Sequence, residues 1–241
     1  MIMSNVAIVF AGGTGKRMNT KSKPKQFLEL HGKPILVYTL EQFQNHAEID
    51  GIILVVLKKW INYCRELIMK FGLDKVKVII AGGDSAFASQ KNGLMKAHEL
   101  FSDDSIVLIH DGVRPLIDEE TISKNIASVK KNGTAITVTP AIETITIKNE
   151  TGEVGQIIER SKCELARAPQ SFYLKDILEA HEKADQEGKI FIDSASMMQF
   201  YGYPLFTVEG SPDNIKITTP TDFYIFRALV DARENSQIFG A

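Results

Sequence analysis

The chain has 241 residues, 44% of them hydrophobic, which suits one large domain, or one domain with an appendage, around an ample core. Its 28 Lys and Arg against 30 Asp and Glu give a formal net charge of -2, which disfavours a globally basic nucleic-acid binder and leaves positive clusters to serve a local ligand. The two cysteines, Cys64 and Cys163, fit neither a disulfide framework nor a metal set, no apolar run reaches membrane-spanning length, and MIMSNVAIVF lacks a basic leader, so the expectation is a cytoplasmic protein with no membrane partner.

Short apolar runs alternate with helical patterns along the first 140 residues. VAIVF (6–10) reads as a buried strand, and a glycine-rich loop follows it. Pro34 opens a helical pattern over 34–46, with Leu36, Leu40 and Phe43 at helical spacing. GIILVVL (51–57) is a second buried strand, and Trp60, Cys64, Leu67 and Phe71 mark one helix face. KVKVII (75–80), SIVLIH (105–110) and TAITVT (134–139) are further strands, with helices near 89–100 and 119–131 between them. Strands apolar at every residue are buried on both faces. The rhythm therefore predicts an α/β fold: a Rossmann-like, mostly parallel sheet sandwiched by helices.

The rhythm changes after 140. IETITIKNETGEVGQIIE (142–159) alternates apolar and polar residues around NETGE, the pattern of an antiparallel hairpin. It is expected to protrude as an arm, 141–170, inserted in a single domain spanning 1–241. Helices near 174–187 and 193–201, a strand PLFTV (204–208), and a last helix to about 235 complete the chain. Thr219, Pro220 and Asp222 supply a cap, a first-turn proline and a third-position acid for that helix.

A strand running into glycines places backbone N–H groups at the carboxyl edge of a parallel sheet, where doubly wound folds bind ligands. Gly12, Gly13 and Gly15 allow close approach to a phosphate chain, Arg17 can grip phosphate oxygens with two donors, and Lys25 supplies a point charge. Gly13-Thr14-Gly15 lacks the third glycine of the dinucleotide fingerprint, and Gly15-Lys16 is followed by Arg17 with no glycine five residues before Gly15. A dehydrogenase and a Walker-type NTPase are both disfavoured. The five histidines show no metal-ligand spacing, so a zinc site is not expected.

AGGTGKRM with PKQFLELHGKPIL resembles the nucleotide-binding signature of the sugar-nucleotidyltransferase superfamily, and within it the cytidylyltransferases of methylerythritol 4-phosphate and ribitol 5-phosphate. AGGDSAFASQKNGL (81–94), IHDGVRP (109–115), ETI (143–145), RAPQSF (167–172), IDSAS (192–196) and DNIKITTPTD (213–222) agree in order. The resemblance spans nearly the whole chain. It implies transfer of CMP from CTP to a polyol phosphate with release of pyrophosphate. It assigns catalytic roles to Arg17, Lys25 and Lys216. It assigns nucleotide contacts to Ala11, Gly12, Gly13, Gly15, Gly82, Gly83, Asp84 and Ser89. Asp111, which ends a buried strand, would bind Mg²⁺ or a substrate hydroxyl, with Arg114 beside it, and Mg²⁺ would be held chiefly by the CTP phosphates. Thr144 and Arg160 on the arm would meet the substrate across a homodimer.

The chain departs from the resembled pattern at two positions. Ala86 stands where an arginine is usual, and Ala168 stands where a threonine precedes PQ. AGG in place of A-A-G, and Val113 in HDGVRP, lean toward ribitol 5-phosphate, with methylerythritol 4-phosphate, or another NTP with a sugar phosphate, as alternatives. A non-catalytic nucleotide-binding protein is opposed by the retention of Arg17, Lys25, Asp111 and Lys216.

Overall fold

The computed structural model describes residues 3–13 and 23–239, the last four by backbone only. In chain order the elements are β1 (Asn5–Ala11), β2 (Glu29–Leu30), β3 (Lys33–Pro34), α1 (Ile35–Asn45), β4 (Gly51–Val56), α2 (Ile61–Phe71), β5 (Val76–Ala81) and α3 (Ala86–Leu100). Then come β6 (Ile106–Asp111), α4 (Glu119–Asn132), β7 (Thr134–Pro140), β8 (Ile145–Lys148), β9 (Val154–Ile158), β10 (Glu164–Tyr173), α5 (Leu174–Gln186), α6 (Ser194–Phe200), β11 (Thr207–Glu209) and α7 (Pro220–Phe239).

A seven-stranded sheet, in the order β11-β7-β10-β6-β1-β4-β5, forms the centre. β10 runs antiparallel to both its neighbours, while β1 pairs in parallel with β4 and β6, β4 with β5, and β7 with β11. The period-2 pleat splits β1 between two cores. Ala7, Val9 and Ala11 face a layer containing Leu40 and Phe43 of α1, Leu67 of α2 and Ile126 of α4. Val6 and Ile8 face Leu94 of α3, Ile177 of α5 and Met197 of α6. Helices thus cover both faces, as the continuous apolar strands require. α7 adds Phe226 and Val230 to a third cluster with Leu30, Ile35 and Ile217, which fixes the loop before it against the sheet edge.

β10 is not marked as a strand by its sequence: Pro169 lacks an N–H, and a central strand rarely tolerates that. The structure accommodates it at an irregularity: the register with β7 shifts between Ala166 and Gln170. Beyond that point Ser171 donates to Asn125 Oδ1 (2.9 Å), and Asn125 Nδ2 donates to Thr137 Oγ1 (2.9 Å) and to the Thr121 carbonyl (2.9 Å). This buried network joins β10, α4 and β7. Residues 164–173 therefore belong to the central sheet rather than to the arm expected over 141–170, and outside that sheet the segment forms only the two-stranded β8–β9 hairpin. The hairpin turns at Gly152, at φ 90°, as the NETGE segment predicts.

Candidate active site

The carboxyl ends of β1, β4, β5 and β6, together with the start of β10, open onto one cleft of about 650 Å³. Ala11, Gly12 and Gly13 line it at and directly after the end of β1, and Lys25 lines it as well. Gln26, fully buried, donates through Nε2 to the Ala11 carbonyl (2.7 Å) and the Gly13 carbonyl (3.1 Å). The PKQF block therefore pins the glycine loop as well as supplying a cation. Gly15 and Arg17 lie outside the described residues.

The loop between β5 and α3 forms the second wall. Gly82, Gly83, Asp84, Ser85, Ala86 and Ser89 all line the cleft. Ser85 caps α3, its side chain accepting from the Ala88 N–H (3.0 Å). Ser89 Oγ accepts from the Gly83 N–H (3.1 Å) and donates to the Ser85 carbonyl (2.8 Å), so it holds the loop closed on itself. A Cβ at Gly82 would stand 2.7 Å from Ser89 Oγ, and one at Gly83 would stand 2.6 Å from the Ala88 Cβ. The two glycines are required by this close approach. Ala86 opens α3 at the cleft edge, so a longer side chain there would face the cavity.

Asp111, the last residue of β6, is the electrostatic centre. Its Oδ1 accepts from Lys216 Nζ (2.7 Å) and its Oδ2 from Arg114 Nε (2.9 Å). Burial pushes its carboxyl up, but Lys216 and Arg114 more than offset this and hold it below the usual carboxylate range. Lys216 arrives on the loop before α7. That loop is tied down by Lys25 Nζ, which donates to the Ile217 carbonyl (2.7 Å), and by Asp222, which accepts from the Thr218 and Thr219 N–H groups (2.8 and 2.7 Å). Residues nearly 200 positions apart in the chain thus meet at one edge. The expected role of Asp111 as a Mg²⁺ ligand does not fit this arrangement, because both carboxylate oxygens are engaged by resident cations that a metal ion would have to displace. His110 is buried, its Nε2 lies 3.2 Å from the Arg114 carbonyl, and burial lowers its pKa to about 4, so it is neutral and structural.

Two cleft residues, Arg167 and Gln170, and the buried Asn214 behind them make contacts that the sequence does not assign. Arg167 of β10 donates through Nε to Thr139 Oγ1 (3.0 Å) and through one terminal nitrogen to the Asn214 carbonyl (3.0 Å). Arg114 donates to the same carbonyl at 2.8 Å. Asn214, fully buried, donates from Nδ2 to the Ala168 carbonyl (2.7 Å). Gln170 bridges the far wall, accepting from the Ala195 N–H (2.9 Å) and donating to Asp193 (3.2 Å). RAPQSF was the available signal, but the sequence does not show which of its side chains turn inward. Thr144 and Arg160 are exposed on the arm and do not line this chain's own cleft; Arg160 donates to the Ile142 carbonyl (3.0 Å).

A cleft lined by glycine backbone and by Lys25, Lys216, Arg114 and Arg167 is built to hold crowded phosphates. Among the described residues, no helix is long and apolar enough to cross a membrane. The sequence pattern of the family described as "IspD: 2-C-methyl-D-erythritol 4-phosphate cytidylyltransferase" matches residues 5–232. A ribitol-5-phosphate cytidylyltransferase of Streptococcus agalactiae serotype V is 50% identical over 99% of this chain and 100% of its own length. A 2-C-methyl-D-erythritol 4-phosphate cytidylyltransferase of Clostridium acetobutylicum is 39% identical over 94% of this chain and 97% of its own. The crystal structure of 4-diphosphocytidyl-2C-methyl-D-erythritol synthase from Anaerococcus prevotii superposes with a TM-score of 0.82 at 28% identity, covering 95% of this chain and 99% of that one. Sequence match, relatives and superposition all extend across the sheet and the cleft, and the chain belongs to the IspD family of cytidylyltransferases.

Proposed function

We propose that the protein transfers CMP from CTP to ribitol 5-phosphate, forming CDP-ribitol and pyrophosphate. The observation that carries the acceptor assignment is the 50% identity, over essentially the full chain, to ribitol-5-phosphate cytidylyltransferases. The cationic cleft supports the chemistry. A phosphate oxygen of the acceptor attacks the α-phosphorus, one O–P bond forms, and the bond to the β-phosphate oxygen breaks with departure of pyrophosphate. No proton transfer is needed. The reaction demands positioning and positive charge. Lys25 and Lys216 reach the cleft from opposite ends of the chain and stabilise the charge gathering at the α-phosphate, with Arg17. The β5–α3 loop reads the cytosine through its backbone at Gly82 and Gly83. Mg²⁺ enters on the triphosphate's own oxygens.

The protein works as a homodimer. A two-stranded hairpin is marginal alone, and Ile147, Val154 and Ile157 on this one are 51%, 63% and 67% exposed. Covering them with a second copy brings Thr144 and Arg160 to the partner's cleft. The second reading, CMP transfer to 2-C-methyl-D-erythritol 4-phosphate, is favoured by the family description and the 39% identical relative. The deciding experiment is pyrophosphate release from CTP with each acceptor in parallel. Turnover with ribitol 5-phosphate and none with methylerythritol 4-phosphate is the expected result, and the reverse refutes the acceptor assignment.

A further inference from the structure

We infer that Arg167 is a further cation for the phosphate of the acceptor, gripping it from within the cleft beside the arm's Arg160, and so helps set which acceptors the cleft takes. The inference rests on the cytidylyltransferase reading. It starts from a charge imbalance. Asp111 already answers Lys216 and Arg114. Among the described residues, Arg167 has no carboxylate within ion-pair distance. Its hydrogen-bond partners are the Thr139 hydroxyl and the carbonyl of Asn214, and that carbonyl is shared with Arg114. Two guanidinium groups converging on one neutral oxygen repel each other. Burial first, and the nearby Arg114 charge second, lower the Arg167 pKa. Such an arrangement is held by the fold in readiness for an anion.

The sheet order says which anion. Across the mouth the strands run β10, β6, β1, β4, β5. The glycine loop leaves β1 and the loop assigned to cytosine leaves β5, so the nucleotide occupies the β1–β5 side. Arg167 lies on the other side of Asp111, at the start of β10, which enters the sheet from the mouth because it runs antiparallel. The attacking phosphate must stand beside the α-phosphate and still have a cation of its own. Arg167 is placed for that phosphate. Its neighbour Ala168 has no polar side-chain group to share the task, and Thr139 and Asn214 fix the orientation of the guanidinium fork.

The test uses full-length protein and three variants, Arg167→Leu, Arg167→Lys and Arg167→Gln, with steady-state pyrophosphate release. Arg167→Leu should raise the KM for ribitol 5-phosphate roughly 10- to 100-fold, the effect of deleting a charge-assisted hydrogen bond, while the KM for CTP moves less than about 3-fold. Arg167→Lys should recover part of the loss, and Arg167→Gln none of it. A merely structural Arg167 would instead lower thermal stability and raise both KM values together. That result, or a rise confined to CTP, overturns the inference. If the wild-type protein does not use ribitol 5-phosphate, the function has failed but Arg167 is still testable. Inorganic phosphate titrated calorimetrically into CTP-saturated protein should bind the wild type at least 10-fold more tightly than Arg167→Leu. Equal binding, or none to either protein, overturns the inference.

Discussion

Replacing His181 with leucine should remove much of the protein's acid sensitivity. His181 lies on α5, is fully buried, and its ring sits 4.5 Å from that of Phe87 on α3. Among the described residues, neither ring nitrogen has a hydrogen-bond partner. Burial lowers its pKa from 6.5 to about 4; Asp185 opposes the shift and Lys91 adds to it, and these two side chains pair with each other. The folded state therefore holds a neutral imidazole while the unfolded chain takes up a proton below pH 6.5. The sign follows: this site contributes full stability above pH 6.5 and loses it as pH falls toward 4. The loss is about 2 kcal/mol by pH 5 and about 3 kcal/mol by pH 4. Urea unfolding at pH 7.5 and pH 5.0, followed by the fluorescence of Trp60, the single tryptophan, measures it. Because other groups also titrate, the informative quantity is the difference between proteins. His181→Leu should lose about 2 kcal/mol less than wild type over that interval and should be no less stable at pH 7.5, since two unsatisfied buried nitrogens are gone. An equal acid loss in both proteins would refute the reasoning. The consequence reaches function, because α5 supports α3 and α3 carries the loop assigned to the base.

Lys25→Ala should reduce kcat by about 100-fold or more with little change in the unfolding midpoint, since a cation aimed at transition-state charge is removed from a partly exposed position. Gly83→Ala should raise the KM for CTP about 10-fold while sparing the acceptor KM, because the new methyl, 2.6 Å from the Ala88 Cβ, forces the α3 loop outward. Ile157→Asp on the hairpin should convert the proposed homodimer to monomer in light scattering, and the activity lost should return as protein concentration is raised.

Much of the fold was legible because local patterns and tertiary requirements agreed. β4 is apolar at all six positions and is buried at all six, and the helices that cover it carry their apolar residues at helical spacing. The α7 start was readable down to the cap, since Asp222 accepts from the backbone at Thr218 and Thr219. Of the cleft residues, Lys25 and Asp111 were legible from residue type and position, a cation beside a glycine loop and an acid that ends a buried strand, since the topology brings strand ends to one edge; Gly82, Gly83 and Lys216 were legible only through the ordered blocks that resemble the cytidylyltransferases.

What escaped shares one property: its meaning lies in a partner remote in sequence. β10 reads as irregular because Pro169 interrupts it, and only pairing to β6 and β7 makes a strand of it. Asn214 is a single asparagine in a loop until Arg167, 47 residues away, and Arg114, 100 residues away, both donate to its carbonyl. That junction also changes how Asp111 is understood. As the acid that ends a strand, Asp111 suits a metal ion; enclosed by Lys216 and Arg114, it suits the opposite purpose. It balances part of the positive charge so that the fold can gather these cations before the substrates arrive. The charge it leaves unbalanced, at Arg167, then marks where the second phosphate belongs.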